Sequence, residues 1–325
     1  MSKANGFPIC GLGRFIRDYR GKIAAGRLLA AAVVLLAAGA VCGSPGPTAA
    51  QTLERVKETQ TLRIGHRHDA RPFSFVDAAG QPSGYVVEMC RAVAEDLKAR
   101  LNLPDLKIEF VEVGTEDRFQ AVTEGKIDLL CGSSTVTLVR REIVSFSLPT
   151  FITGVSAALR TDASRFLKEV LSGRRPSAPP RSLVIEALRN RVFGVRAGTT
   201  AETWLEKNLE SLAIDARIVK VDDYAKGLAM TASGELDAFF GDRAILLELI
   251  AQSQNAGFLE LGERHLTYEP YALALARGDE DFRLAVDRAL SRIYSSSAID
   301  PLFAKYFGRP NESVRTLFLL SSLPE

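Results

Sequence analysis

The sequence predicts an α/β protein built from two similar units. Three observations point there: short apolar strands alternate with helix-length segments, the alternation breaks near residue 161 and restarts near 192, and 325 residues suffice for two cores of ordinary size. A composition of 46% hydrophobic and 25% charged residues, with 25 Gly and 14 Pro, excludes collagen-like, coiled-coil and mostly disordered classes. Residues 28–41 are the only apolar run near membrane length, which excludes a multi-pass membrane protein.

The first segment reads as an export leader. A basic stretch ending at Arg27 precedes fourteen apolar or small residues, 28–41. As a helix they rise about 21 Å, short of the roughly 30 Å hydrocarbon core. Thr48-Ala49-Ala50 before Gln51 offers a cleavage site, so residues 1–50 are expected to be a signal peptide and the protein periplasmic. Those residues hold six bases and one acid, so the net charge of +2 falls to −3 without them, with 35 bases against 38 acids. That balance leaves no electrostatic footprint for nucleic acid.

The elements follow in order. Leu62-Arg63-Ile64-Gly65 reads as a strand, and Asp77-Ala78-Ala79-Gly80 as a turn. Residues 86–101 carry apolar side chains at helical spacing, at Val86, Met89, Val93, Ala94 and Leu97. Residues 107–113 alternate as a half-buried strand, a short helix starts at Glu116, and 127–131 form a buried strand. Beyond the break, Val192-Phe193-Gly194-Val195 is a strand feeding the turn Ala197-Gly198-Thr199-Thr200, with a helix from Ala201. Residues 216–221 and 236–240 complete the second unit. Between the units, Arg174-Arg175-Pro176 and Pro179-Pro180-Arg181 make a basic, proline-bearing insertion flanked by helix-like 166–171 and 183–188.

Two cysteines, Cys90 and Cys131, lie beyond the leader; their spacing fits either a disulfide or two buried thiols. The only histidines are His66, His68 and His265, so no metal-ligand spacing is present and no cofactor is expected. Each unit pairs a strand, a small-residue turn and a helix start, whose free N–H groups suit a carboxylate.

Together, Gly65-His66-Arg67 with Pro72-Phe73-Ser74, then Cys131-Gly132-Ser133-Ser134-Thr135 ahead of Arg140, Ala197-Gly198-Thr199-Thr200-Ala201-Glu202 and Asp237-Ala238-Phe239-Phe240-Gly241-Asp242 resemble a known family. It is the periplasmic solute-binding proteins of polar amino-acid ABC transporters (family 3), and within it the glutamate/aspartate-binding proteins. The likeness runs over residues 53–325. It implies a two-lobed periplasmic-binding-protein fold of type II, each lobe a mixed sheet flanked by helices, with two hinge crossings. Residues 52–152 with 272–325 would form lobe 1, and 153–271, carrying the insertion at about 161–191, lobe 2.

The resemblance also implies a site. Arg140 would clamp an α-carboxylate with Ser133 and Thr135, the Thr199 and Thr200 turn would meet it from lobe 2, and Asp242 would accept the α-ammonium. Arg67 and Arg118 would lie near the ligand side chain, with the Thr115 hydroxyl. The planar fork of arginine matches a carboxylate, and hydroxyls fill the remaining lone pairs. Tyr224 stands where the acidic-amino-acid branch has a histidine; it donates a hydrogen bond without adding charge. Arg67, Arg118 and Arg140 against Asp242 leave the implied pocket at +2, which an acidic ligand reduces and a neutral one does not. Glutamate or aspartate is therefore the expected ligand, with glutamine or asparagine as the alternative.

No nucleophile–base pair is legible, so a binding protein is expected rather than an enzyme. An enzyme resembling cyclohexadienyl dehydratase would need an acid or base from His66 or His68, and a sensor would need a separate receptor. The expected partners are a small L-amino acid and an inner-membrane ABC permease complex, with the chain itself monomeric.

Overall fold

The computed structural model describes residues 51–172 and 180–324; the leader and the Arg174-Arg175-Pro176 stretch lie outside them. Helix α1 (Thr52–Thr59) leads into β1 (Thr61–His66), and a small antiparallel sheet of β2 (Asp69–Ala70), β3 (Ser74–Val76) and β4 (Pro82–Ser83) precedes α2 (Tyr85–Leu101). Then come β5 (Lys107–Glu112), α3 (Arg118–Thr123), β6 (Leu129–Cys131), α4 (Leu138–Arg141) and the long β7 (Val144–Thr153). After Gly154 follow β8 (Val155–Arg160), α5 (Arg165–Ser172), α6 (Arg181–Leu188), β9 (Val192–Arg196), α7 (Thr200–Ser211) and β10 (Arg217–Val221). Next are α8 (Tyr224–Ser233), β11 (Ala238–Asp242), α9 (Arg243–Gln252) and β12 (Leu259–Leu261). The chain returns through β13 (Glu269–Ala276) to α10 (Glu280–Ser295), α11 (Ile299–Phe307) and α12 (Glu312–Ser321).

Two five-stranded sheets result, ordered β5-β1-β6-β13-β7 and β10-β9-β11-β8-β12. In each, three strands joined through helices run parallel, and the two contributed by the crossings run antiparallel to their neighbours. The inner parallel strands β6 and β11 read as short apolar runs and are buried at every position, whereas β5 and β10, at the sheet edges, are partly exposed. The apolar spacing seen in 86–101 becomes the core face of α2, where Val86, Met89, Cys90, Val93 and Leu97 are buried. No helix among the described residues is long and apolar enough to cross a membrane.

Element ends differ from the sequence reading where polar side chains redirect the backbone. Helix α3 starts at Arg118 instead of Glu116, because the Asp117 carboxylate accepts the Gly114 N–H at 2.7 Å and holds a turn. Strand β11 starts at Ala238, two residues late, because Asp237 accepts the Val192 N–H at 2.8 Å. The helices beside the basic insertion are anchored to the second core through Leu167, Leu171, Ala187 and Leu188.

The two crossings are pressed together. A Cβ on Gly154 would fall 1.8 Å from the Thr267 carbonyl oxygen, so only glycine fits. Beside it, the Val155 N–H donates to Thr267 Oγ1 at 2.9 Å and the Leu266 N–H to the Val155 carbonyl at 2.7 Å.

Cys90 and Cys131 form a disulfide that ties α2 to the end of β6. The pairing, which spacing left open, closes a loop across 41 residues. In the chain-entropy model such a loop is worth about 4 kcal/mol. The Cys90→Ala/Cys131→Ala protein should therefore lose about 2–4 kcal/mol in urea unfolding. Unchanged unfolding would mean that the bond adds nothing to the first core.

Candidate functional site

One cavity gathers all ten sequence-selected residues: Arg67, Thr115, Arg118, Ser133, Thr135, Arg140, Thr199, Thr200, Tyr224 and Asp242. Strand ends and helix starts put them there. Arg67 directly follows β1, and its backbone N–H donates to Ser74 Oγ at 2.9 Å. Its guanidinium donates from Nη2 to Asp69 Oδ1 at 2.7 Å. Thr115 lies in the turn after β5, and Arg118 opens α3 with its Nη2 donating to the Gly198 carbonyl at 3.3 Å. Ser133 and Thr135 follow β6, and Thr135 bridges to Tyr271 of β13.

Arg140 is set by a cap and a carbonyl. Its N–H donates to Thr137 Oγ1 at 3.1 Å, and its Nη1 donates to the Thr135 carbonyl at 2.8 Å. The Phe119 ring lies beneath both this guanidinium and that of Arg118, at 5.1 Å and 4.5 Å to the centroid.

The second sheet contributes helix starts. Thr199 caps α7 by accepting the Glu202 N–H at 3.3 Å, Tyr224 begins α8, and Asp242 caps α9 by accepting the Ile245 N–H at 3.0 Å. Three partly positive helix ends thus border a cavity that also holds carboxylates.

The sequence reading missed two polar residues of the lining, Glu269 and Tyr271. Glu269 Oε2 accepts from the hydroxyls of Thr135 and Thr200, each at 2.7 Å, and Tyr271 donates to Asp242 Oδ2 at 2.6 Å. Their only trace in the sequence is a charged residue and a tyrosine at the head of the apolar run 272–276. Val155 and Ala201 complete the lining.

These contacts change the charge count. Arg67, Arg118 and Arg140 against Asp242 and Glu269 give +1 instead of +2. Behind them Asp69 and Arg196 form an ion pair, which leaves the sum unchanged.

Burial dominates the electrostatics. It pulls the Arg118 guanidinium below its ordinary value, with help from the Arg140 and Arg67 charges. Burial also lowers Arg67 and Arg140; Asp69 opposes the shift at the first, and Glu269 at the second. Tyr224 is pushed up to about 12 by burial, so its hydroxyl is a donor at neutral pH. Burial raises Asp242 to about 6, against the hydrogen bonds from Tyr271 and Ile245. His66, buried edge-on to Phe110, and His68, 3.1 Å from Glu112, are not among the lining residues.

The arrangement presents guanidinium donors, paired hydroxyls, a carboxylate with a raised pKa and a tyrosine hydroxyl around one small space. It is equipped to bind a compact zwitterion or anion through several charged hydrogen bonds at once.

Comparison with known proteins agrees with this architecture. The L-glutamate/L-aspartate-binding protein of Pseudomonas aeruginosa is 29% identical over 80% of this chain and 80% of its own. The glutamate/aspartate import solute-binding protein of Escherichia coli K12 is 26% identical over 86% and 87%. The ABC transporter glutamine-binding protein of Bacillus subtilis is 24% identical over 85% and 93%. Among solved structures, a mutant of ArgBP from T. maritima superposes with TM-score 0.65 at 24% identity, over 79% of this chain and 99% of that one. The ancestral amino acid-binding protein AncCDT-1, a precursor of cyclohexadienyl dehydratase, gives 0.64 at 24% identity, over 79% and 99%. These likenesses show the fold: two mixed sheets flanked by helices, in the type II periplasmic-binding-protein arrangement. The model of the bacterial extracellular solute-binding proteins, family 3, matches residues 62–309, and the chain belongs to that family.

Proposed function

We propose that this solute-binding protein serves an ABC importer and takes an acidic L-amino acid, glutamate or aspartate, into the cleft between its two sheets. The observation that carries the reading is the cavity charge of +1. A ligand with one ammonium and two carboxylates neutralises it, whereas a neutral amino acid leaves one buried cation uncompensated. An uncompensated buried charge costs several kcal/mol.

In this reading Arg140 holds the α-carboxylate with Ser133, Thr135, Thr199 and Thr200, and Asp242 receives the α-ammonium. Arg67, Arg118, Thr115 and Tyr224 surround the side-chain carboxylate. Lobe 1 is 52–152 with 272–325 and lobe 2 is 153–271. The ligand bridges them and favours the closed arrangement by its greater affinity for it. The protein acts without catalysis, as a monomer in the periplasm, after loss of residues 1–50. Two features favour the reading: relatives named for glutamate and aspartate, and the Cys90–Cys131 disulfide, which suits an oxidising compartment.

Calorimetric titration of the purified, ligand-stripped protein tests the substrate. L-Glutamate and L-aspartate should bind at least about tenfold more tightly than L-glutamine and L-asparagine. Preference for the amides would replace the acidic reading with the alternative one. Arg140→Ala should abolish binding of every amino acid, while Arg118→Ala should change the preference among side chains. An equal loss for all ligands on Arg118→Ala would remove that residue from the side-chain end.

Binding should also depend on pH. The ammonium partner must be a carboxylate, yet Asp242 titrates near 6 when buried without a cation. Binding therefore releases a proton below that value. Affinity should be flat above about pH 7 and fall about tenfold between pH 7 and pH 5. Affinity for glutamate that stays constant over this range would separate Asp242 from the ammonium.

A further inference from the structure

Arg196 ends β9 and is 4% exposed, yet it is not among the residues lining the cavity. It meets one lining residue, Tyr224, and reaches a second, Arg67, through Asp69. Its guanidinium is ion-paired with Asp69 Oδ2, while the other Asp69 oxygen accepts from Arg67 Nη2 at 2.7 Å. It also lies over the Tyr224 ring, 4.9 Å from the centroid. The side chains of Arg67, Asp69 and Arg196 are 4%, 7% and 5% exposed, so water screens little of this.

The arithmetic of sharing decides what the triad does. Asp69 beside Arg67 alone would cancel its charge. Shared between two guanidiniums, one carboxylate leaves a surplus of +1, and Arg118 adds a second positive charge to this end of the cavity. The surplus comes with unspent donors: Arg67 Nε, Arg118 Nε and Thr115 Oγ1 are buried with no partner among the described residues. Tyr224 brings a donor but no charge, and the cation stacked on its ring supplies one from behind.

We infer that Arg196 is a specificity-determining residue that acts through Asp69 and Tyr224, keeping the Arg67–Arg118 end of the cavity positive so that an anionic side chain is preferred to its amide. The inference rests on the ligand reading above. A purely structural Arg196 would cross-link the second sheet to Asp69 and affect all ligands alike, so the informative readout is a ratio.

Glutamate and glutamine are titrated into the wild-type protein and into Arg196→Met, Arg196→Lys and Asp69→Asn, with thermal melting to verify folding. Arg196→Met should weaken glutamate binding about 10–100-fold and change glutamine binding by less than about threefold. Arg196→Lys, which keeps the charge, should hold the glutamate-to-glutamine ratio within about threefold of wild type. Asp69→Asn removes the compensating charge and should raise the ratio or leave it unchanged, which keeps the test open if Arg196→Met does not fold. Equal losses for both ligands in Arg196→Met, or a fall in the ratio for Asp69→Asn, would overturn the inference. A wild-type protein that prefers glutamine would remove the acidic-ligand reading itself, and this failure is visible before any variant is made.

Discussion

Withdrawing an ion from water costs several kcal/mol unless a counter-charge and hydrogen bonds replace the solvent, and this cleft withdraws several at once. Arg67, Arg118 and Arg196 are buried. Arg67 and Arg196 meet Asp69, and Arg118 reaches the Gly198 carbonyl. Arg140 meets the Thr135 carbonyl beside the Glu269 carboxylate. Because Asp69 follows the first sheet's β1 and Arg196 ends the second sheet's β9, Arg196 takes its counter-charge from the other side of the cleft. The interaction that holds the cleft together is therefore the same one that charges it. Each sheet core could pack by burial of apolar area alone, but burial is non-directional and would not fix one sheet against the other.

Direction comes from the crossings. Gly154 and Thr267 lie in contact, so the two connecting segments act as a pair instead of two independent tethers. Asp242 is in register with Val155, the first residue after Gly154, and donates its position to α9 as a cap. Glu269 pairs in register with Thr153, the last residue before it. Both cavity carboxylates thus sit at the crossings, whereas Arg67, Arg118 and Arg140 follow β1, β5 and β6 of the first sheet. Opposite charges are separated by topology before any side chain chooses a rotamer.

The parallel half of each sheet was readable because it obeys local rules. Apolar runs of strand length, a small-residue turn and a helix at 3.6-residue spacing each leave a mark within a dozen residues. The ten candidate site residues came instead from the family resemblance, whose motifs stand at strand ends and helix starts, and they line one cavity. Strands β7, β8, β12 and β13 escaped because their pairing is set by partners far along the chain, such as Glu269 with Thr153. Glu269, Tyr271 and Arg196 escaped with them. Nothing within ten residues of Arg196 indicates that its partner is Asp69, 127 residues away. The Cys90–Cys131 bond was undecidable for a related reason, because spacing does not report that α2 lies against the end of β6.

Buried carboxylates of this fold are of two kinds, one that stabilises it and one that does not. Asp128 shows the stabilising kind: it accepts the Arg63 N–H at 2.7 Å and pairs with the guanidiniums of Arg55 and Arg63, fastening β6 to β1 with every partner present. Asp242 shows the other kind. Its value in the folded chain, about 6, lies above the ordinary aspartate value of about 3.9. A carboxylate raised by folding weakens the fold above its folded pKa, and the penalty disappears once pH falls below its unfolded pKa. Asp242 thus opposes folding at neutral pH, although its two oxygens accept from Ile245 and Tyr271, one each, as an asparagine with a single acceptor oxygen would not. Tyr271 and the start of α9 reduce the cost without removing it. A carboxylate held where it destabilises its own fold is compensated when a cation arrives beside it, which supports the proposed part of Asp242 in binding.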